Sequence, residues 1–176
     1  FFTKQGHSST PLELSQKLGQ DLTIHTLRQI HSKKVVDASE TSQELPLKAD
    51  SLISDNAKQS LWVYSADCMP ILLADIKKGK VSSCHAGWRG LASGILQSTL
   101  SKMEAKGVKK DSLIIAIGPS INGVNYPVEI DVMNQVVRNI TQQTNTKSEL
   151  EILQHLKNIG AIVKTQNKNK VFLDLK

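Results

Sequence analysis

The segment formed by residues 65–91 constrains the fold of this chain more than any other stretch. It contains two apolar runs, 70–76 and 80–85, separated by a short lysine-glycine turn, and this pattern predicts two neighbouring strands. A thiol, Cys68, precedes the first run, and an imidazole, His85, ends the second. Because a rigid sheet can direct side chains at its strand ends into a cleft, this segment contains the candidate functional residues.

The rest of the chain mixes strands with helices. Thr10 and Glu13 have the spacing of a capping box, with Pro11 at the first helical position, so a short helix should run to about Leu18. Periodicity predicts further helices at 88–106, 128–140 and 149–159, and further strands at 22–30, 51–54, 61–65, 113–117, 161–164 and 171–175. The continuous apolar run 113–117 is typical of a buried strand. This order of elements favours an α+β or mixed α/β fold over a doubly wound sheet.

Size and composition indicate a globular, cytoplasmic domain. A length of 176 residues suggests one domain, and 39% hydrophobic with 22% charged residues is ordinary for a soluble protein. No apolar run approaches the ~20 residues of a membrane span. Two cysteines are too few for a disulfide scaffold, which favours a reducing compartment. The net charge of +6 is spread over lysines without interleaved aromatics, so we expect a solvated surface and no nucleic-acid partner.

Cys68 and His85 suit either of two chemistries. Zinc favours cysteine sulfur and histidine nitrogen, and catalytic zinc sites use three protein ligands, so a third ligand is required. His31 is the best placed candidate, since it lies where a predicted strand gives way to a loop. Alternatively, Cys68 is a nucleophile with His85 as its base, as in cysteine hydrolases and deamidases. A purely structural role for both residues also fits the spacing.

The residues next to this pair extend the candidate site. Cys84 should face the core, because successive strand side chains point to opposite faces. Arg89, at the start of a predicted helix, offers a forked donor set for phosphate or carboxylate, or it pairs with Asp67. Asp67 is also a candidate to orient a histidine, and Trp88 to form the wall of a flat pocket.

Four strings in this sequence resemble the laccase-domain family. They are Ser-Ala-Asp-Cys-Met-Pro from Ser65, His-Ala-Gly-Trp-Arg-Gly from His85, Gln-Ile-His-Ser from Gln29, and Ala-Ile-Gly-Pro-Ser-Ile from Ala116. Members of this family have been called multicopper polyphenol oxidoreductases and are better described as zinc-binding purine nucleoside phosphorylases. The resemblance runs in order along residues 1–176, which implies a single domain trimmed at both ends.

The resemblance implies a specific site and activity. The family's metal ligands fall on His31, Cys68 and His85, with Zn2+ as the cofactor and copper as the alternative. The implied reactions are phosphorolysis of adenosine, inosine, guanosine and methylthioadenosine, and deamination of adenosine. The implied partners are therefore purine nucleosides and inorganic phosphate, with no membrane. The implied fold is an α/β/β/α sandwich of mixed sheets, similar to the catalytic domain of cytotoxic necrotizing factor.

Three other functions remain open at this point. They are a copper-dependent polyphenol oxidoreductase, a metal-free cysteine hydrolase using Cys68 and His85, and a non-catalytic binding module. The chain also departs from the family pattern near Lys4, around Asn122, and at a cysteine-containing tail that follows the segment matching Asp174. These departures concern substrate contacts more than the metal ligands.

Overall fold

A computed structural model describes residues 1, 10–19, 21–143, 149–167 and 170–175 of the protein. Five α-helices and twelve β-strands are formed within these residues. The helices are α1 (Pro11–Leu18), α2 (Trp88–Ser93), α3 (Ile95–Ala105), α4 (Ile130–Gln143) and α5 (Glu149–Asn158). The strands are β1 (Thr23–His25), β2 (Leu27–Arg28), β3 (Val35–Asp37), β4 (Leu47–Lys48), β5 (Ser51–Ile53), β6 (Gln59–Leu61), β7 (Met69–Asp75), β8 (Lys80–Ala86), β9 (Leu113–Ile117), β10 (Pro127–Glu129), β11 (Ile162–Asn167) and β12 (Lys170–Leu173).

A five-stranded mixed sheet is the centre of the fold. Its strand order is β3-β5-β8-β7-β9, with β3 and β5 parallel and the other neighbours antiparallel. Alternate residues of β7 and β8, such as Ile71 and Cys84, lie opposite one another on one face. Ile95 and Met103 of α3 pack against that face and are fully buried, so the principal core lies between α3 and the sheet.

The opposite face of this sheet carries a second layer of short strands. β1 pairs with β6 and β2 pairs with β4, both in parallel. Leu27 of β2 and Leu61 of β6 pack with Leu52 of the central sheet in a second core. Helix α1 follows outside, where the Ser15 and Ser60 hydroxyls share a hydrogen bond of 2.9 Å. The layers therefore follow the order helix, sheet, sheet, helix, and the predicted α+β sandwich of mixed sheets is confirmed.

A third sheet lies near the end of the described chain. Strands β10, β12 and β11 are antiparallel, and β11 and β12 correspond to the predicted strands 161–164 and 171–175, which the structure joins as a hairpin. Their apolar side chains form a core with α4 and α5 that includes Met133 and Leu156. None of the described helices is long and apolar enough to cross a membrane.

Several predicted elements differ from the structure. The predicted strand 61–65 begins earlier, as β6 (Gln59–Leu61), and residues 62–65 form no strand. The predicted strand 22–30 is two short strands, β1 and β2, that pair with different partners. The predicted helix 88–106 is divided at Gly94, which has a left-handed φ of 92°. A side chain there would meet Asn139 at 3.3 Å, so Gly94 allows both the turn and the close approach of α4.

The predicted burial of 113–117 is wrong, although the strand itself is present as β9. Ile114, Ile115 and Ile117 are 54%, 53% and 51% exposed. Among the described strands β9 pairs only with β7, so it is an edge strand. An apolar run indicates a strand suited to burial, but burial itself depends on which elements cover its two faces.

Candidate metal centre

Three side chains from distant parts of the sequence converge at one end of the central sheet. The ligand atoms of His31, Cys68 and His85 all lie within 4.8 Å of one another. The Cys68 Sγ is 3.7 Å from His31 Nε2. The two imidazole rings meet edge to face, with centroids 4.8 Å apart and planes at 80°. The structure thus brings together the three residues that the sequence suggested as ligands.

The pairing of β7 with β8 positions two of these residues. His85 lies opposite Pro70 in the antiparallel register, and Cys68 comes just before β7 begins. The Ser65 hydroxyl donates a hydrogen bond to the Cys68 carbonyl, which closes the turn before the strand. Cys84, next to His85, points to the opposite face and is fully buried, as predicted. Burial raises the pKa of the Cys84 thiol to about 11, although hydrogen bonds with Thr99 and Ser51 oppose the rise.

A buried carboxylate, Asp50, holds the loop that carries His31. Its oxygens accept hydrogen bonds from three consecutive backbone N–H groups, those of Ile30 at 3.3 Å, His31 at 2.9 Å and Ser32 at 2.6 Å. The Ser32 hydroxyl donates a fourth hydrogen bond at 2.9 Å. His31 has a left-handed φ of 57°, which is uncommon for a residue with a side chain. The carboxylate therefore stabilises the backbone conformation that presents the His31 ring.

The same carboxylate orients His85. The Asp50 Oδ1 lies 3.0 Å from His85 Nδ1, and both side chains are almost completely buried. We assign the proton to Nδ1, because the partner is an acceptor, which leaves Nε2 to act as a ligand. Burial by itself raises the pKa of Asp50, but hydrogen bonds from His85, Ser32 and His31 outweigh it and lower the pKa to about 2. Asp50 is thus ionised at neutral pH.

Sequence reasoning missed Asp50 and gave its role to Asp67. Asp67 is exposed, and the carboxylate that orients a histidine is Asp50. The signal in the sequence is an aspartate immediately before the short strand β5, since an unpaired carboxylate buried beside a strand would be costly. No local spacing links Asp50 to His31 or His85, because the contacts arise from strand order.

The donor set and the space around it fit a metal ion. Tetrahedral zinc, with ligands at ~2.0–2.3 Å, places its ligand atoms roughly 3.3–3.7 Å apart. The distance of 3.7 Å between Cys68 Sγ and His31 Nε2 already agrees with that geometry, whereas a separation at the upper limit of 4.8 Å would have to close by about 1 Å. A Cβ on Gly87 would lie 2.9 Å from both Cys68 Sγ and the His31 ring, so glycine keeps the space between them open. Burial raises the pKa of the Cys68 thiol, as do Asp67 and Asp50, so a cation is needed to favour the thiolate.

Arg89 stands beside this cluster at the start of α2. Its guanidinium carbon lies 4.3 Å from the centre of the Trp88 ring, a cation–π contact. Within the described part of the chain, no carboxylate lies within ion-pair distance of Arg89, so the alternative pairing with Asp67 is not formed. The side chain is exposed and can meet an anion. Helix α2 has only 6 residues, so we assign the anion-binding capacity to Arg89 and not to the helix end.

A mixed α+β sandwich with a His/Cys/His cluster at a sheet end defines a candidate metal-binding protein. The chain belongs to the multi-copper polyphenol oxidoreductase laccase family, whose family model matches residues 10–170.

Similar proteins support this assignment. A purine nucleoside phosphorylase of Synechocystis sp. is 32% identical over 163 residues, covering 89% of this chain and 61% of the relative. A purine nucleoside phosphorylase of Haemophilus influenzae is 34% identical over 124 residues, covering 70% of this chain and 49% of the relative. The chain therefore spans 61% or less of the length of these two relatives.

Solved structures share the fold. A Neisseria meningitidis protein of the DUF152 family superposes with a TM-score of 0.73 at 29% identity, covering 93% of this chain and 59% of that one. YlmD from Geobacillus stearothermophilus also has a TM-score of 0.73, at 22% identity, covering 94% and 59% of the two chains.

Proposed function

We propose that this chain carries the site of a zinc-dependent purine nucleoside phosphorylase. The observation that carries the proposal is the convergence of His31, Cys68 and His85, a three-ligand donor set with space kept open by Gly87. Catalytic zinc sites use three protein ligands and leave a position open. The names of the Synechocystis and Haemophilus relatives support purine nucleosides as substrates.

Each residue of the site has a distinct part in this proposal. His31, Cys68 and His85 would hold the ion, and Asp50 keeps the proton of His85 on Nδ1, which leaves Nε2 available as a ligand. Bound zinc would supply a Lewis acid next to the substrate. Arg89 binds inorganic phosphate through its guanidinium, which is held on the face of Trp88.

The proposed main reaction is phosphorolysis. A phosphate oxygen forms a bond to the anomeric carbon of the ribose while the bond from that carbon to the purine nitrogen breaks. Adenosine and phosphate thus give adenine and ribose 1-phosphate. Arg89 favours this step by placing the phosphate and by offsetting its charge.

We include deamination of adenosine as a second activity of the same site. In that reaction water replaces the amino group at C6, so adenosine and water give inosine and ammonia. The deamination needs no phosphate, which makes the two activities separable in one experiment.

Chromatography of adenosine incubated with the zinc-loaded protein tests both activities. Adenine that forms only when inorganic phosphate is present is the expected sign of phosphorolysis. Inosine that forms with and without phosphate is the expected sign of deamination. No product from a folded, zinc-loaded protein would overturn the proposed function.

Variants and inhibitors separate the proposal from its rivals. His31→Ala should lose both zinc and turnover, whereas Cys84→Ala, which removes the thiol on the opposite face, should keep both. Activity that resists a strong chelator but is lost on thiol alkylation would indicate a cysteine hydrolase using Cys68 and His85. Oxygen uptake with a phenol, together with several bound coppers, would indicate a polyphenol oxidoreductase.

A further inference from the structure

A small cavity lies beside Cys68. Its volume is about 40 Å³, and its wall includes Asp67, Ser120 and Tyr126. Pockets that enclose a whole small-molecule ligand usually measure ~300–1,000 Å³. The cavity therefore has room for one small group of a ligand and not for a purine base.

Tyr126 reaches this cavity from a different part of the fold than the three ligands. It follows a 3₁₀ turn, Gly123–Asn125, and its ring packs against the core of the third sheet. Its backbone N–H donates to the Gly123 carbonyl at 3.2 Å, and its carbonyl accepts from the Leu173 N–H at 3.2 Å. The backbone of Tyr126 is thus held beside β12 and its ring by the core of the third sheet, which favours a well-defined contact with a ligand.

The Tyr126 hydroxyl is a hydrogen-bond donor at the edge of the site. Tyr126 lines the cavity together with Cys68 and Asp67, and burial raises the pKa of its phenol. The hydroxyl stays protonated at neutral pH. No residue in the described ranges hydrogen-bonds to it.

Asp67 supplies a hydrogen-bond acceptor in the same small cavity. Asp67 is exposed and lines the cavity, and carboxylate oxygens accept hydrogen bonds. A hydroxyl group both donates and accepts, so one acceptor and one donor lining a cavity of this size complement one hydroxyl.

We infer that Asp67 and Tyr126 form a subsite for one sugar hydroxyl of the nucleoside. This inference rests on the proposed function, since it assigns a part of the substrate to the cavity beside the metal site. The Tyr126 hydroxyl donates a hydrogen bond to the sugar hydroxyl oxygen, and the Asp67 carboxylate accepts a hydrogen bond from the sugar O–H. Both are substrate-binding residues.

The test compares inosine with 2′-deoxyinosine, 3′-deoxyinosine and 5′-deoxyinosine in the zinc-loaded protein with phosphate. We expect kcat/KM to fall at least about tenfold for one of the three analogues, because it leaves the subsite polar groups unpaired. In Tyr126→Phe, kcat/KM for inosine should fall about tenfold and the discrimination against that analogue should shrink to about threefold or less. Asp67→Asn should also reduce that discrimination. The dissociation constant of inosine, measured without phosphate, should rise in parallel.

Tyr64→Phe is the matched control. Tyr64 is 57% exposed and does not line the cavity, so its variant should keep the kinetics of the wild type. Zinc content and the midpoint of thermal unfolding verify that each variant is loaded and folded. Equal kcat/KM values for inosine and all three deoxy analogues would overturn the subsite alone. So would a ratio of kcat/KM values between inosine and an analogue that Tyr126→Phe leaves unchanged. Absence of phosphorolysis in the wild type would overturn the proposed function and the subsite together.

Discussion

Replacing Asp50 by asparagine should weaken the fold and the metal site together. The carboxylate accepts hydrogen bonds from the amides of Ile30, His31 and Ser32, from the Ser32 hydroxyl and from His85. An asparagine side chain keeps one acceptor oxygen and turns an amino group towards these donors. At least one buried donor then loses its partner, and the negative charge that attracts the others is gone.

The structure sets the size of the effect. A pKa lowered from 3.8 to about 2 corresponds to about 2.5 kcal/mol of stability in the ionised state. An unpaired buried donor adds ~1–3 kcal/mol. We therefore expect Asp50→Asn to lower the free energy of unfolding by about 3.5–5.5 kcal/mol at pH 7, close to the usual cost of breaking a buried charged interaction.

Urea unfolding in the presence of a chelator measures this loss without a contribution from bound metal. Because the folded pKa is depressed, the stabilisation is complete above the unfolded pKa of 3.8 and is lost as the pH falls towards 2. The difference between wild type and variant should therefore be constant above pH 5 and should shrink below pH 4. Competition with a zinc indicator should show zinc affinity about 10–100-fold weaker in the variant, because His85 loses its orienting partner.

Asp75→Asn provides a matched control. Asp75 is also buried, at 2% exposure, and accepts the N–H groups of Lys77 at 2.9 Å and Lys78 at 3.2 Å at the other end of the β7–β8 hairpin. Its variant should lose stability and keep its zinc affinity. Equal zinc affinity in Asp50→Asn and the wild type would refute the role assigned to Asp50. An equal loss of zinc affinity in Asp50→Asn and Asp75→Asn would refute it as well.

Two further predictions concern the immediate surroundings of the cluster. Gly87→Ala should weaken zinc binding at least about tenfold, since the new Cβ would lie 2.9 Å from both Cys68 Sγ and the His31 ring. Competition with the same zinc indicator measures the affinity. An unchanged affinity would show that these side chains move aside. In the zinc-free protein, iodoacetamide should modify half-buried Cys68 and spare Cys84, which has 0% exposure, and added zinc should protect Cys68. Peptide mass spectrometry identifies the modified residue. Modification of Cys68 at an equal rate with zinc bound would argue against its role as a ligand.

The sequence was most informative where a structural feature is local or chemically distinctive. The Thr10 and Glu13 capping box and the β7–β8 hairpin depend on residues a few positions apart, and both form as predicted. His31, Cys68 and His85 could be proposed together because few side chains bind metals well and each lies near a strand end. Their common location needed the resemblance to a family, because spacing alone does not fix it.

The features that sequence reasoning missed depend on tertiary arrangement. Asp50 meets His85 because β5 pairs with β8, an arrangement that also joins the His85 N–H to the Asp50 carbonyl at 2.8 Å. The exposure of β9 likewise depends on strand order, because its composition alone is that of a buried strand. The division of the predicted helix at Gly94 reflects the approach of α4, which helical periodicity does not encode.

The left-handed backbone of His31 lowers the stability of the fold, although the proposed site needs a histidine side chain at this position. A residue with a Cβ loses roughly 1–2 kcal/mol in that conformation, whereas glycine adopts it at little cost. Selection for thermal stability alone would therefore favour glycine at position 31 and remove a proposed ligand with the same step. Any attempt to engineer a more robust form of this protein should leave that position unchanged and gain its stability in the cores around α3 and α4, where no proposed ligand would be lost.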